Sequence, residues 1–432
     1  MTELLERLAR LSPAKRSLLL SHLPGGAIQR VAKLLPNPLT PMSVREMNRE
    51  AELDSSLDYS AAAGPQNTQE AILLTGATGF LGAFLLEALI QESSATIYCL
   101  VRASDSQQAM ERIAANLRGY LRPEGIKDRV VGVPGDLAQQ NFGLTSQMYE
   151  RLADQIDGIF HCGALVKWTH PFKSLKGPNV DGTREILRFA ARRRIKPLHF
   201  ISTVGVFSSP SYEAPAVSEE ELLDRSGPLY VGYAQTKWVA EKLVTIARSR
   251  GLPVSIYRPN LASDSATGVF NPHDHISLLL RACVHVGLTP VLEFRVSGMP
   301  VDCAARAVLR LSKNPPPADM AYHLVNENDM SWNEFCKWFA ARGLPLKQVP
   351  YPNWREAILK SLGTDRENAL VSVLPFVSEN IFNYARLPRF ECSRTLRLLE
   401  GSGLACPAID DTLLGTFLNY YRTRGYFLDE VR

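Results

Sequence analysis

The 432-residue sequence lacks most of the signals that would send a chain to a membrane, a metal or a nucleic acid. Its seven cysteines (99, 162, 283, 303, 336, 392 and 406) include no C-x-x-C pair, the spacing that zinc ribbons and dithiol redox sites need. Several fall in apolar stretches, as small buried hydrophobes do, which points to a reducing cytoplasm rather than a disulfide framework. His273-Asp274-His275 has no third ligand nearby in sequence and reads as a polar loop, so no metal is expected. No apolar run reaches the roughly 18 residues that cross a bilayer. Residues 1–23 are interrupted by Glu3, Glu6, Arg7, Arg10, Lys15 and Arg16, unlike a signal peptide. Charge of one sign is also scarce. Forty-eight basic against 44 acidic residues leave +4, too little to argue for nucleic acid, and Arg192-Arg193-Arg194 suits the C-terminus of a helix. The expectation is a cytoplasmic protein with neither membrane nor nucleic acid among its partners.

The most informative stretch present is Ile72-Leu73-Leu74-Thr75-Gly76-Ala77-Thr78-Gly79-Phe80-Leu81-Gly82. A short apolar run ends in glycines spaced G-x-x-G-x-x-G, and an apolar segment at helical spacing follows. This describes a buried strand turning sharply into a helix whose free N–H groups and positive dipole end can hold a pyrophosphate. Thr75, Gly76, Thr78, Gly79, Phe80, Leu81 and Gly82 are therefore candidate dinucleotide contacts. From about residue 70 the pattern alternates. Strands are expected at 72–75, 96–101, 130–134, 158–162, 199–202 and 254–258, and helices at 81–91, 106–121, 146–155, 176–194 and 231–250. That alternation specifies an α/β fold with a Rossmann-type, doubly wound parallel sheet over residues 66–265. Residues 299–311 could return to the sheet, so 299–314 are assigned to the same domain. Residues 266–432, richer in aromatics and prolines, read as a smaller, mostly helical C-terminal substrate domain. Residues 1–65, with an amphipathic start at Leu4, Leu5, Leu8 and Leu11, read as a linker with one or two helices.

The chemistry lies at strand ends. The second strand closes on Arg102, with Arg112 ten residues on, where an NAD-preferring chain would place an acid for the ribose hydroxyl. A guanidinium matches a phosphate bidentately, so NADPH is the expected cofactor. Asp136 can accept from the adenine amino group, and Gly163-Ala164 would let backbone pass close to the nicotinamide. Cys162 has no activating base in sequence and reads as inert. In Tyr233-Ala234-Gln235-Thr236-Lys237 the phenol and the amine stand one helical turn apart on one face. The ammonium and the cofactor's positive ring are expected to lower the phenol pKa. Upstream, Ser202-Thr203 ends a strand and offers a hydroxyl to a developing oxyanion.

Together the glycine turn, the Ser-Thr strand end and Tyr-x-x-x-Lys resemble an extended short-chain dehydrogenase/reductase. Leu73–Gly82, Leu100–Arg102, Gly135-Asp136-Leu137, Asn179-Val180-Asp181-Gly182-Thr183 and Tyr257-Arg258-Pro259 are similar to thioester reductase domains. These domains terminate nonribosomal peptide and polyketide synthetases and form the reductase part of carboxylic acid reductases. The likeness extends through His323-Leu324-Val325-Asn326, Ser331-Trp332-Asn333-Glu334 and Asn368-Ala369-Leu370. Leu11-Ser12-Pro13-Ala14-Lys15-Arg16 resembles linkers beside condensation domains.

The resemblance implies NADPH-dependent reduction of an acyl or peptidyl thioester on a carrier protein's phosphopantetheine arm, to an aldehyde or on to the alcohol. It implies Thr203, Tyr233 and Lys237 as the catalytic set. It adds Leu137, Leu165, Arg258 and Pro259, with Tyr233 and Lys237 themselves, to the cofactor contacts. Residues 1–65 become a possible contact with a synthetase. The chain departs from the pattern at Asn260-Leu261-Ala262-Ser263, where relatives carry Gly-x-Ile-x-Gly, and at Lys167 and Cys303. Two other readings share these motifs: a nucleotide-sugar epimerase or dehydratase, and a non-catalytic module that binds NADPH.

Overall fold

Ala71–Thr75 forms an inner strand, β1, because its side chains alternate between two buried faces: Ile72 and Leu74 join one apolar core, Leu73 the other. The computed structural model describes residues 39–60, 70–120, 128–168, 170–272, 274–313, 320–361, 387–404 and 406–426. Six further strands join β1: β2 (Thr96–Val101), β3 (Val130–Pro134), β4 (Gly158–His161), β5 (Leu198–Ile201), β6 (Val254–Pro259) and β7 (Tyr322–Leu324). Their order across the sheet is β7-β6-β5-β4-β1-β2-β3, and every pairing is parallel. Parallel strands need helical crossovers, supplied by α1 (Phe80–Glu92), α2 (Ser106–Tyr120), α3 (Ser146–Gln155), α4 (Gly182–Ala191) and α5 (Gly232–Ser249). The chain moves outward from β1 to β3, then returns to the other side of β1 with β4. At that reversal the loops leaving β1 and β4 diverge and open a crevice above the strands' carboxyl ends.

Two segments differ from the sequence reading. Residues 299–311 do not enter the seven-stranded sheet. Only Met299–Pro300 is extended, pairing with Leu261–Ala262, and Val301–Ser312 follows as helix α7. Its buried Val301, Ala304, Ala305 and Val308 recur at helical spacing and share a core with α1. The outer strand β7 instead comes from the His323-Leu324 motif. The helix expected over 176–194 is broken: a short helix, Phe172–Lys176, runs into a π turn at Gly177–Asp181 before α4 begins. Pro178 lacks an N–H, which interrupts regular helical bonding there.

Of residues 1–65, the described part packs on the sheet domain. Leu39–Met42 pairs antiparallel with Leu229–Val231, and Ser43 and Glu46 form a capping box that starts the helix Val44–Glu50. Tyr59 is buried and donates to the Leu187 carbonyl at 3.2 Å. The amphipathic start near Leu4, the Leu11–Arg16 motif and Asn368-Ala369-Leu370 lie outside the described residues.

The C-terminal part contributes α6 (His275–Val286), α8 (Trp332–Ala340) and α9 (Asp411–Thr423). Aromatic packing joins the last two, with Phe339 edge-on to Phe417 at 6.0 Å, and Phe270, ahead of α6, stacks on Tyr421 of α9 at 4.1 Å. Among the described residues no helix is long and apolar enough to cross a membrane.

Candidate active site

A cavity of about 460 Å³ fills the crevice and continues between the sheet and the C-terminal helices. Its near wall is the glycine turn. Gly76 sits at φ +82°, and a Cβ there would lie 2.7 Å from the Gly163 nitrogen. A Cβ on Gly82 would lie 1.9 Å from the Gly76 carbonyl oxygen, so only glycine lets α1 start this close to β1. Gly79 caps α1 without a side-chain bond, which leaves the first helical N–H groups facing the cavity. Thr78, Phe80 and Leu81 complete that lip. Thr75 lies behind it: its hydroxyl bridges the His161 Nδ1 (2.7 Å) and the Gly163 N–H (2.9 Å), tying the ends of β1 and β4 together. Backbone this close, beside a helix N-terminus, fits a dinucleotide pyrophosphate.

Arg102 is exposed at the end of β2 and lines the same cavity. Arg112 does not line it; its guanidinium donates to the Arg102 carbonyl and so sits against the same strand end. Asp136, Leu137, Gly163, Ala164, Leu165 and Pro259 all line the cavity at successive strand ends.

Arg258 is displaced from the expected set. It is 4% exposed and bonds Glu241 through Nε (3.0 Å) and Nη2 (2.6 Å), with Nη1 against His323 Nε2 at 3.2 Å. β-strand alternation sends this side chain away from the crevice and into an internal ion pair. It does not line the cavity.

Thr203, Tyr233 and Lys237 reach the cavity together. Ser202 also touches it, but its hydroxyl donates to the buried Glu241. Thr203 Oγ1 accepts from the Gly205 N–H at 3.1 Å, which leaves its own O–H to donate. Lys237 Nζ donates to the Ile201 carbonyl at 2.7 Å and lies 4.2 Å from the centre of the Phe200 ring. Burial lowers the Lys237 pKa to about 8. The phenol differs from the sequence expectation: burial first, then the Cys162 thiol, pushes Tyr233 upward. Loss of phenolate hydration is the larger of the two causes. The phenol is held protonated, the form that donates. Burial also pushes Cys162 up to about 12, so its thiol stays neutral and unreactive.

Sequence reasoning missed the residues that hold these groups. Asn179, in the π turn, accepts from the Leu165 N–H at 2.7 Å and donates to the Thr236 hydroxyl at 3.0 Å. It thereby clips the β4 loop to α5 between Tyr233 and Lys237. Asn116 on α2 donates to the Ala77 and Gly79 carbonyls, both at 3.1 Å, and steadies the glycine turn. The one signal for Asn179 in the sequence was its place in the Asn179–Thr183 motif. The atypical Asn260–Ser263 loop lines the cavity without closing it, and Asn260 Nδ2 anchors it to Ser297 Oγ at 2.8 Å. Asp274 caps α6 through Ser277, and His275 packs on Trp168 at 4.5 Å; His273 lies outside the described residues.

A parallel sheet with a glycine cradle at its switch point, and a hydroxyl, a phenol and an amine further along the same cavity, define an oxidoreductase that uses a nicotinamide dinucleotide. The family model described as "Male sterility protein" matches residues 74–308. The chain belongs to that NAD-binding family and, within the extended short-chain dehydrogenase/reductases, to the thioester reductase domains. The terminal R domain from the myxalamid PKS-NRPS biosynthetic pathway is 39% identical, with a TM-score of 0.82, over 89% of this chain and 98% of that one. A linear gramicidin synthase polypeptide of Brevibacillus parabrevis is 35% identical over 93% of this chain but 8% of its own length. L-2-aminoadipate reductase of Schizosaccharomyces pombe is 30% identical over 76% of this chain and 24% of its own length. The chain thus spans a minor part of these curated relatives.

Proposed function

We propose that the protein reduces an acyl or peptidyl thioester, carried on the phosphopantetheine arm of a carrier protein, and releases it as an aldehyde at the expense of NADPH. The observation that carries this reading is the convergence of Thr203, Tyr233 and Lys237 on the cavity that begins at the glycine cradle. The preference for NADPH rests on Arg102, with Arg112 held against it, at the end of β2. Asp136 and Leu137 would flank the adenine, and Gly163, Ala164, Leu165 and Pro259 the nicotinamide. Arg258 drops out of this set. Residues 1–65 would face a partner synthetase, in the cytoplasm.

The reduced nicotinamide, when bound, supplies the hydride. Thr203 and Tyr233 hold the thioester oxygen by hydrogen bonds that strengthen as negative charge grows on it. The protonated Tyr233 phenol gives its proton to that oxygen, and Lys237 offsets the phenolate charge left behind. The resulting hemithioacetal loses its C–S bond. The sulfur leaves as the carrier's thiol with a proton, and the carbon leaves as aldehyde.

The test is to supply acyl-pantetheine thioesters with NADPH, follow loss of the reduced nicotinamide's absorbance, and trap the product as an oxime. Aldehyde formed in step with NADPH consumed is expected. NADPH binding without turnover of any thioester would leave a non-catalytic module, and interconversion of sugar nucleotides would leave an epimerase. Family membership favours the reductase over both.

A further inference from the structure

Beyond Tyr233 the cavity continues into the C-terminal helices, and one wall of that end is apolar throughout. It is formed by Phe270, Phe294, Phe335, Leu413, Leu414 and Phe417. These side chains brace one another: Phe294 packs on Trp332 (5.9 Å), Trp332 on Phe335 (5.7 Å), and Phe270 on Phe417 (5.2 Å). Rotation of any one ring is opposed by its neighbours, so the shape of this end is set before a ligand arrives. The passage from the reacting centre is aromatic as well, through Trp168, which lies 6.3 Å from the Tyr233 ring and 4.5 Å from His275.

The charged groups here are few and, with one exception, committed. Among the described residues lining this end, Arg295 is bound to Asp329 through Nε at 2.6 Å. Asp274 accepts from the Ser277 N–H (2.8 Å) and hydroxyl (2.6 Å), and no cation pairs with it among the described ion pairs. His275 is kept neutral by burial, which lowers its pKa to about 4. A ligand carboxylate placed here would meet apolar rings, a neutral imidazole and Asp274, and the cation among the described residues lining this end, Arg295, is already paired with Asp329.

We propose that the acyl group reduced by this protein carries an apolar aliphatic or aromatic chain without a carboxylate, and that the Phe270–Phe335–Phe417 end of the cavity selects it. This rests on the thioester reductase reading and adds the class of substrate. An apolar chain gains roughly 0.8 kcal/mol for each methylene it buries. An unpaired carboxylate loses hydration with nothing in return.

Three pantetheine thioesters test this: hexanoyl, 3-phenylpropanoyl and glutaryl. With the wild-type protein and NADPH, kcat/KM for the first two should exceed that for glutaryl by at least about tenfold. Ile409 is half-buried on the same wall. Ile409→Arg should narrow that ratio about tenfold or more by receiving the carboxylate. A wild-type protein that reduces glutaryl thioester as fast as the apolar pair would overturn the inference, whether or not the variant folds. If no thioester is reduced, the reductase reading has failed, and calorimetry of the same three ligands still decides the cavity. Tighter binding of the apolar pair supports selection by this wall; equal binding refutes it.

Discussion

Burial moves the two titratable partners on α5 in opposite directions, and both keep their protons at neutral pH. Tyr233 is kept as a phenol able to donate, while Lys237, lowered to about 8, remains an ammonium through neutral pH. Below about 8 the amine is charged and can offset a phenolate; above it the amine is neutral and that help is gone. Turnover with a thioester should therefore decline as pH rises through about 8, read from kcat over a pH series. Tyr233→Phe keeps the ring against Trp168 but removes the transferable proton. It should lower kcat at least about 100-fold, with NADPH affinity by fluorescence titration nearly unchanged. Unaltered turnover would take Tyr233 out of the mechanism. Arg102→Ala should weaken NADPH by about tenfold or more and NADH only slightly; equal losses in the two titrations would refute the phosphate role.

At the scale of elements, the clip made by Asn179 joins the β4 loop to the turn of α5 between the phenol and the amine. Asn179→Ala leaves the Leu165 N–H without its acceptor, a loss of about 1–3 kcal/mol. Thermal unfolding should show the lowered midpoint, and kcat should fall with it. Rescue of kcat by Asn179→Asp would separate the lost acceptor at Leu165 from the lost donor to Thr236.

The elements themselves were largely legible in the sequence. β1, the glycine turn and α1 follow from an apolar run, G-x-x-G-x-x-G and helical spacing, and the strands expected at 96–101 and 130–134 are those formed. The hydroxyl, phenol and amine were legible because chain order and the Tyr-to-Lys spacing are local facts. Three features were not. Whether Arg258 turns toward the crevice depends on which face of β6 it occupies and on Glu241 waiting there, a partner 17 positions away. The helix at Val301–Ser312 was obscured because a short apolar run does not by itself separate strand from helix. The phenol's upward shift depends on how deeply it is covered, which no spacing reports.

For the whole molecule, the reversal of strand order beside β1 decides where everything else must gather. Seven strand ends point the same way, and the loops leaving the first six supply the cavity in sequence order. The buried Glu241–Arg258 pair fastens α5 to β6, and His323 extends that network to β7 and the Glu391 carbonyl at 2.7 Å. Glu241→Ala would strand a guanidinium in the interior, so chemical denaturation should show a loss of about 3–5 kcal/mol. A much smaller loss would mean that water reaches Arg258.

The short strand Leu39–Met42 lies against Leu229–Val231, and Gln235, two residues past the phenol, donates to the Thr40 carbonyl at 2.6 Å. Any polypeptide upstream is consequently moored beside the start of α5, the helix that carries Tyr233 and Lys237, rather than hung from a remote corner. The Thr40 carbonyl and the Leu229 carbonyl share the Gln235 amide, so that anchor is tied into the first turn of α5 itself.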